Sequence, residues 1–183
     1  MRFAYYDNLS ADSKRTYRKS DGIRRVELPD VASLKPLVPP IRDALERGDR
    51  AAIERACQAL VDAVNAQLEA PPIVMRVFER RPANSEGELH GLYEPDEVTG
   101  GTARITVWMR TAAREQVVKF RTFLRTVAHE LCHHLDYEHY RLAETFHTEG
   151  FYARESAFVK DVLGEPVTAP PQPAPRTGRT RAK

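Results

Sequence analysis

The chain has 183 residues and a formal net charge of +2, with 42% hydrophobic and 30% charged residues, which fits one globular domain with a sizeable core. That charge is too even to imply nucleic-acid binding by itself, and no apolar run is long enough to span a bilayer. The opening Met1 to Asp7 lacks a signal-like apolar stretch, and Cys57 and Cys132 form neither a disulfide framework nor a Cys-x-x-Cys pair, so a reduced, cytoplasmic setting is expected.

Residues 1–38 are polar and irregular and carry a basic cluster: Lys14, Arg15, Arg18, Lys19, Arg24 and Arg25. The cluster reads first as a solvated face packed along the domain, and second as a patch for nucleic acid or an acidic partner. From Pro39 to Glu69 apolar residues recur at three- and four-residue steps, so the spacing predicts helix. Gly48-Asp49 should break it into a short and a longer helix, and Pro71-Pro72 should end it. Three strands are expected next, at Ile73–Glu79, Glu88–Tyr93 and Ala103–Met109. The last alternates, with Ile105, Val107 and Met109 on one face and Thr106, Trp108 and Arg110 on the other. Turn-rich Pro95–Gly101 suggests that the last two strands form a hairpin.

A helix is predicted from residue 112 to about 140, with Val117, Phe120, Leu124, Val127, Leu131 and Leu135 as its apolar stripe. A final helix is expected over Thr148–Leu163, stopped by Gly164. Residues 165–183 are rich in Pro and Arg and predict a disordered tail. The implied class is α+β: N-terminal helices, a small, mostly antiparallel three-stranded sheet, then two helices. The working domain would be residues 39–164.

The most informative stretch is His129-Glu130-Leu131-Cys132-His133. On a helix, residues four apart lie one above the other, so both imidazoles share a face. That suits two ligands of a tetrahedral zinc ion, with Glu130 placed as the general base of a metalloprotease. Cys132 is expected to pack as a small buried hydrophobe.

A catalytic zinc usually has three protein ligands and one open position. Five of the six histidines lie between 129 and 147. His139 has the metzincin spacing, but Asp136 stands where that motif has glycine, and no methionine follows to make a Met-turn. Asp136 is a possible carboxylate ligand, yet orienting an imidazole suits it better, because three ligands in a row on one helix constrain a tetrahedron badly. His147 opens the last helix after a loop able to turn back. Phe151 would anchor that helix turn, and Gly150 permits close backbone approach. His147 is therefore the expected third ligand, with His139 and Asp136 as alternatives.

The pairing of His129-Glu130-x-x-His133 with a downstream His147-x-x-x-Phe151 resembles the SprT-like (Spartan) and WLM zinc peptidases, members of the zincin superfamily, and Tyr152 also suits the WLM form. The resemblance spans roughly residues 40–163, with its identifiable motifs in 129–152. It implies a minimal helix-strand-helix metallopeptidase domain with Zn²⁺ on His129, His133 and His147. The cysteine zinc ribbon that often follows SprT-type domains is missing from this sequence.

Glu144 and Glu149 read as solvated or supporting acids rather than ligands. His134, about 100° around the helix from His133, should point away from the metal, and His90 reads as a partly exposed strand residue. Tyr93, Tyr152 and Arg154 are possible oxyanion stabilisers with equally good packing roles. The expected activity is zinc-dependent hydrolysis of peptide bonds, with Glu130 passing a proton from water to the leaving amine. Strand Ala103–Met109 is a candidate edge for pairing with a peptide or protein substrate, and Arg110 would bias it toward acidic ones. Rival expectations are a non-catalytic zinc-binding regulatory module and a DNA-associated SprT-like protease.

Overall fold

The computed structural model describes residues 3–84 and 87–166; the expected tail, apart from its first two residues, lies outside them. After a 3-10 turn at Ala4–Asn8 comes α1 (Ala11–Gly22), opened by Ser10, whose hydroxyl accepts from the Ser13 amide at 3.0 Å. The single turn α2 (Val31–Leu34) buries Leu34. Helix α3 (Val38–Arg47) takes Pro39 and Pro40 in its first turn, where amides have no intrahelical partner. Gly48, at φ 67°, ends α3, and the Asp49 carboxylate accepts from Ala52 N–H to open α4 (Arg50–Leu68). The glycine-aspartate break is thus one stop and one start.

Strand β1 (Ile73–Arg80) leads into a two-residue ribbon, β2 (Ala83–Asn84) and β3 (Gly87–Glu88). Then come β4 (Gly91–Glu94), the short α5 (Asp96–Thr99) and β5 (Ala103–Arg110). The sheet order is β1-β5-β4, with β5 parallel to β1 and antiparallel to β4. The class is α+β, and the sheet is mixed rather than mostly antiparallel. The β4–β5 pair is the expected hairpin, with α5 in its connection.

Two expectations about β5 change. It is the central strand, so its backbone is paired on both sides and offers no edge. Its alternation does not separate core from solvent either: Thr106 and Trp108 are buried along with Ile105, Val107 and Met109. The true edges are β1 and β4, and they differ. The amides of Met75 and Val77 on β1 donate to Gln58 Oε1 and Glu54 Oε2 of α4, each at 2.8 Å. Gln58 Nε2 returns a bond to the Ile73 carbonyl at 2.8 Å, and Arg50 donates to that of Val77 at 3.1 Å. Helix α4 therefore closes the β1 edge with its own polar side chains.

Helix α6 (Phe120–Glu138) packs across β4 and β5, and α7 (Glu149–Leu163) packs on α6. Residues 112–119, expected as the first turns of α6, fold back along β5 instead. Val118 N–H donates to the Met109 carbonyl, Thr111 N–H to that of Gln116, and Val117 bridges Arg110. Glu115, at φ 51°, makes the reversal, and Val117 ends half-exposed outside the stripe. The core joins α3, α4, the inner sheet face, α6 and α7, and includes Val26 and Leu34 from the N-terminal segment. No helix among the described residues is long and apolar enough to cross a membrane.

Candidate metal centre and cleft

On α6, Leu124, Val127, Leu131 and Leu135 face the core, which leaves His129 and His133 on the flank toward α7. After α6 the chain reverses through Arg141 (φ 52°), and Leu142 N–H returns to the Asp136 carbonyl at 2.8 Å. Thr148 caps α7 by accepting from Phe151 N–H at 2.9 Å, so His147 stands one residue outside the helix and meets the α6 pair. The three Nε2 atoms form a triangle with sides of 3.0, 3.2 and 3.2 Å. Tetrahedral Zn–N bonds of about 2.05 Å require N···N separations of about 3.3 Å, so the triangle fits a metal of that size. Phe151, fully buried, floors the group with its ring 4.7–5.2 Å from all three imidazoles.

The outer nitrogens set the tautomers. His129 Nδ1–H donates to Glu155 at 2.7 Å, and Glu155 also accepts from Arg125. Thr145 gives its hydroxyl proton to Asp136 at 2.8 Å, so its oxygen must accept from His133 Nδ1–H at 2.7 Å. Both inner nitrogens are therefore bare lone pairs aimed at one point, as metal ligation requires. Burial, with His129 and His147 beside it, pushes the His133 pKa down to about 3, and burial and His129 also lower His147. Burial alone would raise Glu155, but the bonds from His129 and Arg125 outweigh it and hold that carboxylate below its ordinary range.

Asp136 thus contacts His133 through Thr145 and is not one of the converging groups. Its other oxygen pairs with Arg154, which is fully buried and also donates to the carbonyls of Ser20 and Ile23, both at 3.0 Å. Arg154 is a strut joining α7, α6 and the end of α1. Gly150 serves the same joint. A Cβ there would sit 2.3 Å from the Asp21 carbonyl oxygen, and its amide donates to Asp21 Oδ1 at 2.9 Å.

Glu130 lies beside the triangle and is only 6% exposed. Burial raises its pKa to about 7, against the opposing pull of His129 and a hydrogen bond from the Tyr93 amide. It fits because Gly91 has no side chain: a Cβ on β4 there would lie 2.4 Å from Glu130 Oε1 and 2.8 Å from Thr126 Cγ2.

A cleft of about 480 Å³ opens over His129, Glu130 and His147. Glu88 to Gly91 form one wall and Tyr152 and Glu155 the other, with Thr122, Arg125 and Thr126 along the floor. His90 lies on this wall, exposed, in the link between β3 and β4 rather than within a strand. His139 is directed away, its Nδ1 on the Leu68 carbonyl at 3.2 Å. His134 is buried behind the site with Nε2–H on the Pro71 carbonyl at 3.1 Å, and Tyr93 packs on it and on Tyr137. Glu144 accepts from Ser13, and both it and Glu149 stand outside the histidine group. Arg110, bonded to the Glu115 carbonyl at the end of β5, does not line the cleft. Cys132 is a buried free thiol, raised in pKa by burial, and is not one of the converging groups.

Glu155, Thr145 and Gly91 are the site residues that motif spacing passed over. Only Glu155 left a trace, four residues after Phe151 on α7 as Phe151 is four after His147. No protein-family model, curated protein or solved structure matches the chain.

Proposed function

We propose that the chain is a zinc-dependent metallopeptidase, akin to the SprT-like and WLM peptidases that its motifs resemble. The observation that carries this is the convergence of three imidazole Nε2 atoms, with sides of 3.0–3.2 Å, beside the buried carboxylate of Glu130 at an open cleft. Zinc held by His129, His133 and His147 would supply Lewis acidity, bringing a coordinated water to a pKa of about 7 and polarising a carbonyl. Glu130, buried at the cleft beside the histidines, is placed to take a proton from water and deliver it to a leaving amine. The Tyr93 amide fixes one end of that carboxylate, while Glu155 and Thr145 keep His129 and His133 in the ligating tautomer.

The sheet supports one reading of how a substrate would bind. With the β1 edge closed by α4, the edge left to receive an extended chain is β4, where Glu130 already takes the Tyr93 amide and Gly91 borders the cleft. A peptide added to β4 would gain main-chain hydrogen bonds whatever its sequence. Four of the six cations of the N-terminal cluster are engaged within the protein: Lys14 with the Asp7 carbonyl, Arg18 with the Tyr6 hydroxyl, Lys19 with the Tyr140 carbonyl and Arg25 with Asp161, while Arg15 pairs with Asp12 at the surface and Arg24 is exposed. That favours a structural role for the segment over recruitment of nucleic acid.

The test is cleavage of a fluorescently labelled unfolded protein by the zinc-loaded chain. Turnover should vanish with a chelator, return with zinc and be lost in Glu130→Gln while zinc stays bound. Equal turnover in Glu130→Gln would reject the general base, and a chain that takes up no zinc would reject the whole assignment.

A further inference from the structure

Among the described residues, several large apolar side chains are exposed singly, as is normal on a protein surface: Phe78 on β1, Val98 on α5 and Val117 beside β5. Phe3, Tyr5 and Tyr152 differ. They are 38%, 38% and 37% exposed and adjoin one another, the Phe3 ring lying 6.0 Å from Tyr5 and 6.2 Å from Tyr152. Tyr152 lines the cleft and stacks on His147 at 5.8 Å, so the aromatic surface continues the cleft wall outward.

The ledge is firmly seated. Tyr5 donates its hydroxyl to the His147 carbonyl at 3.2 Å, stands edge-on to buried Tyr17 and faces Phe146. Charge gives no competing basis for selection. Apart from Glu130, the charged groups lining the cleft are paired, Glu88 with Arg81 and Arg125 with Glu155. Leu89, 41% exposed on the opposite wall, adds more apolar surface.

We infer that Phe3, Tyr5 and Tyr152 form a subsite for one large apolar side chain, aromatic by preference, of an extended peptide bound in the cleft, an inference that rests on the peptidase assignment. The occupant is fixed by continuity. A chain seated on β4 across the histidines brings its neighbouring side chain over Tyr152, and the surface beyond Tyr152 is Phe3 and Tyr5. The N-terminal segment is then part of the substrate wall. Stacking a ring there selects it over alanine by about tenfold, the scale of partial burial of an aromatic side chain.

The experiment uses the full chain and fluorescent peptides in which a single Phe is walked through an Ala-Gly-Ser background, with the Phe-free parent as reference. Binding is read by fluorescence polarisation on zinc-loaded Glu130→Gln, and cleavage on the active chain. One register should bind about tenfold tighter than the parent. Phe3→Ser and Tyr152→Ser, each made in the Glu130→Gln background, should bring that ratio close to one, whereas Phe78→Ser should leave it unchanged. A ratio near one in every register, or a ratio untouched by both ledge variants, would overturn the subsite. Ledge-dependent binding without cleavage would keep the subsite and remove the peptidase assignment. Cleavage without register preference would do the reverse, and neither binding nor cleavage would remove both.

Discussion

Glu155 offers the sharpest test of how the proposed metal centre would be held. The residue is 1% exposed, and its carboxylate serves two donors at once, His129 Nδ1–H at 2.7 Å and the Arg125 guanidinium. Glu155→Gln keeps the shape but leaves one acceptor oxygen for those two donors. If the amide oxygen turns to His129, its NH₂ meets the guanidinium, donor against donor. If the NH₂ turns to His129, Nδ1 must accept, the proton moves to Nε2, and that nitrogen no longer ligates. Either arrangement also loses the charge that makes the imidazole a stronger ligand. Partners of this kind are worth about ten- to a hundredfold in metal affinity, or about 1.4–2.7 kcal/mol. Arg125 has a side chain 57% exposed, so water replaces its lost partner and the fold should survive. The assay is zinc competition against a chromophoric chelator at neutral pH, with circular dichroism on the metal-free forms as the check on folding. A folded Glu155→Gln protein that binds zinc within about twofold of wild type would refute the role assigned to Glu155.

Three further outcomes follow from the same geometry. Burial raises the folded Glu130 pKa from 4.5 to about 7, so the folded state holds the proton more tightly and its contribution to stability, complete below pH 4.5, is lost as pH rises through 7. Metal-free Glu130→Gln should therefore match wild type in acid and exceed it by up to about 3 kcal/mol above neutrality in urea unfolding; equal stability at both ends would contradict this. Arg154→Met leaves Asp136 as a buried, unpaired charge and should cost about 3–5 kcal/mol by thermal or urea melting, with a loss under about 1 kcal/mol disproving the strut. In Gly91→Ala a Cβ only 2.4 Å from Glu130 Oε1 must push the carboxylate aside. Its kcat should fall by about a hundredfold with zinc retained, and an unchanged kcat would show that the contact is irrelevant.

Local signals were legible wherever one residue's chemistry forces the outcome. Gly48-Asp49 is a stop followed by a cap, Gly164 is a left-handed terminus, and His129 and His133 are one helical turn apart whatever surrounds them. Long-range matters were not. Whether β5 is an edge depends on which strands flank it, and its alternating pattern looks the same in either place. The helix expected from residue 112 fails because Val117 and Val118 pair with β5, a tertiary choice that periodicity does not encode. Glu155 and Thr145 are ordinary residues until the loop after α6 carries them beside imidazoles from another helix. Gly91 matters only because Glu130 lies opposite. Arg154 and Tyr152, two residues apart on α7, had the same two readings in sequence; packing buries the first as a strut and exposes the second to the cleft.

The joint between α1 and the start of α7 has a consequence for the order in which this protein is made. Lys19 reaches Tyr140, Asp21 meets Gly150, and Ser20 and Ile23 receive Arg154, so the end of α1 is completed by partners more than a hundred positions later. During synthesis the N-terminal segment must wait without its packing surface until α7 has left the ribosome. The pocket for His147 closes at the same late moment, because Phe151, Glu155 and the strut at Arg154 arrive together. A chain made only through α6 carries two of the histidines but not the assembled triangle, so the centre is completed only once α7 has been made.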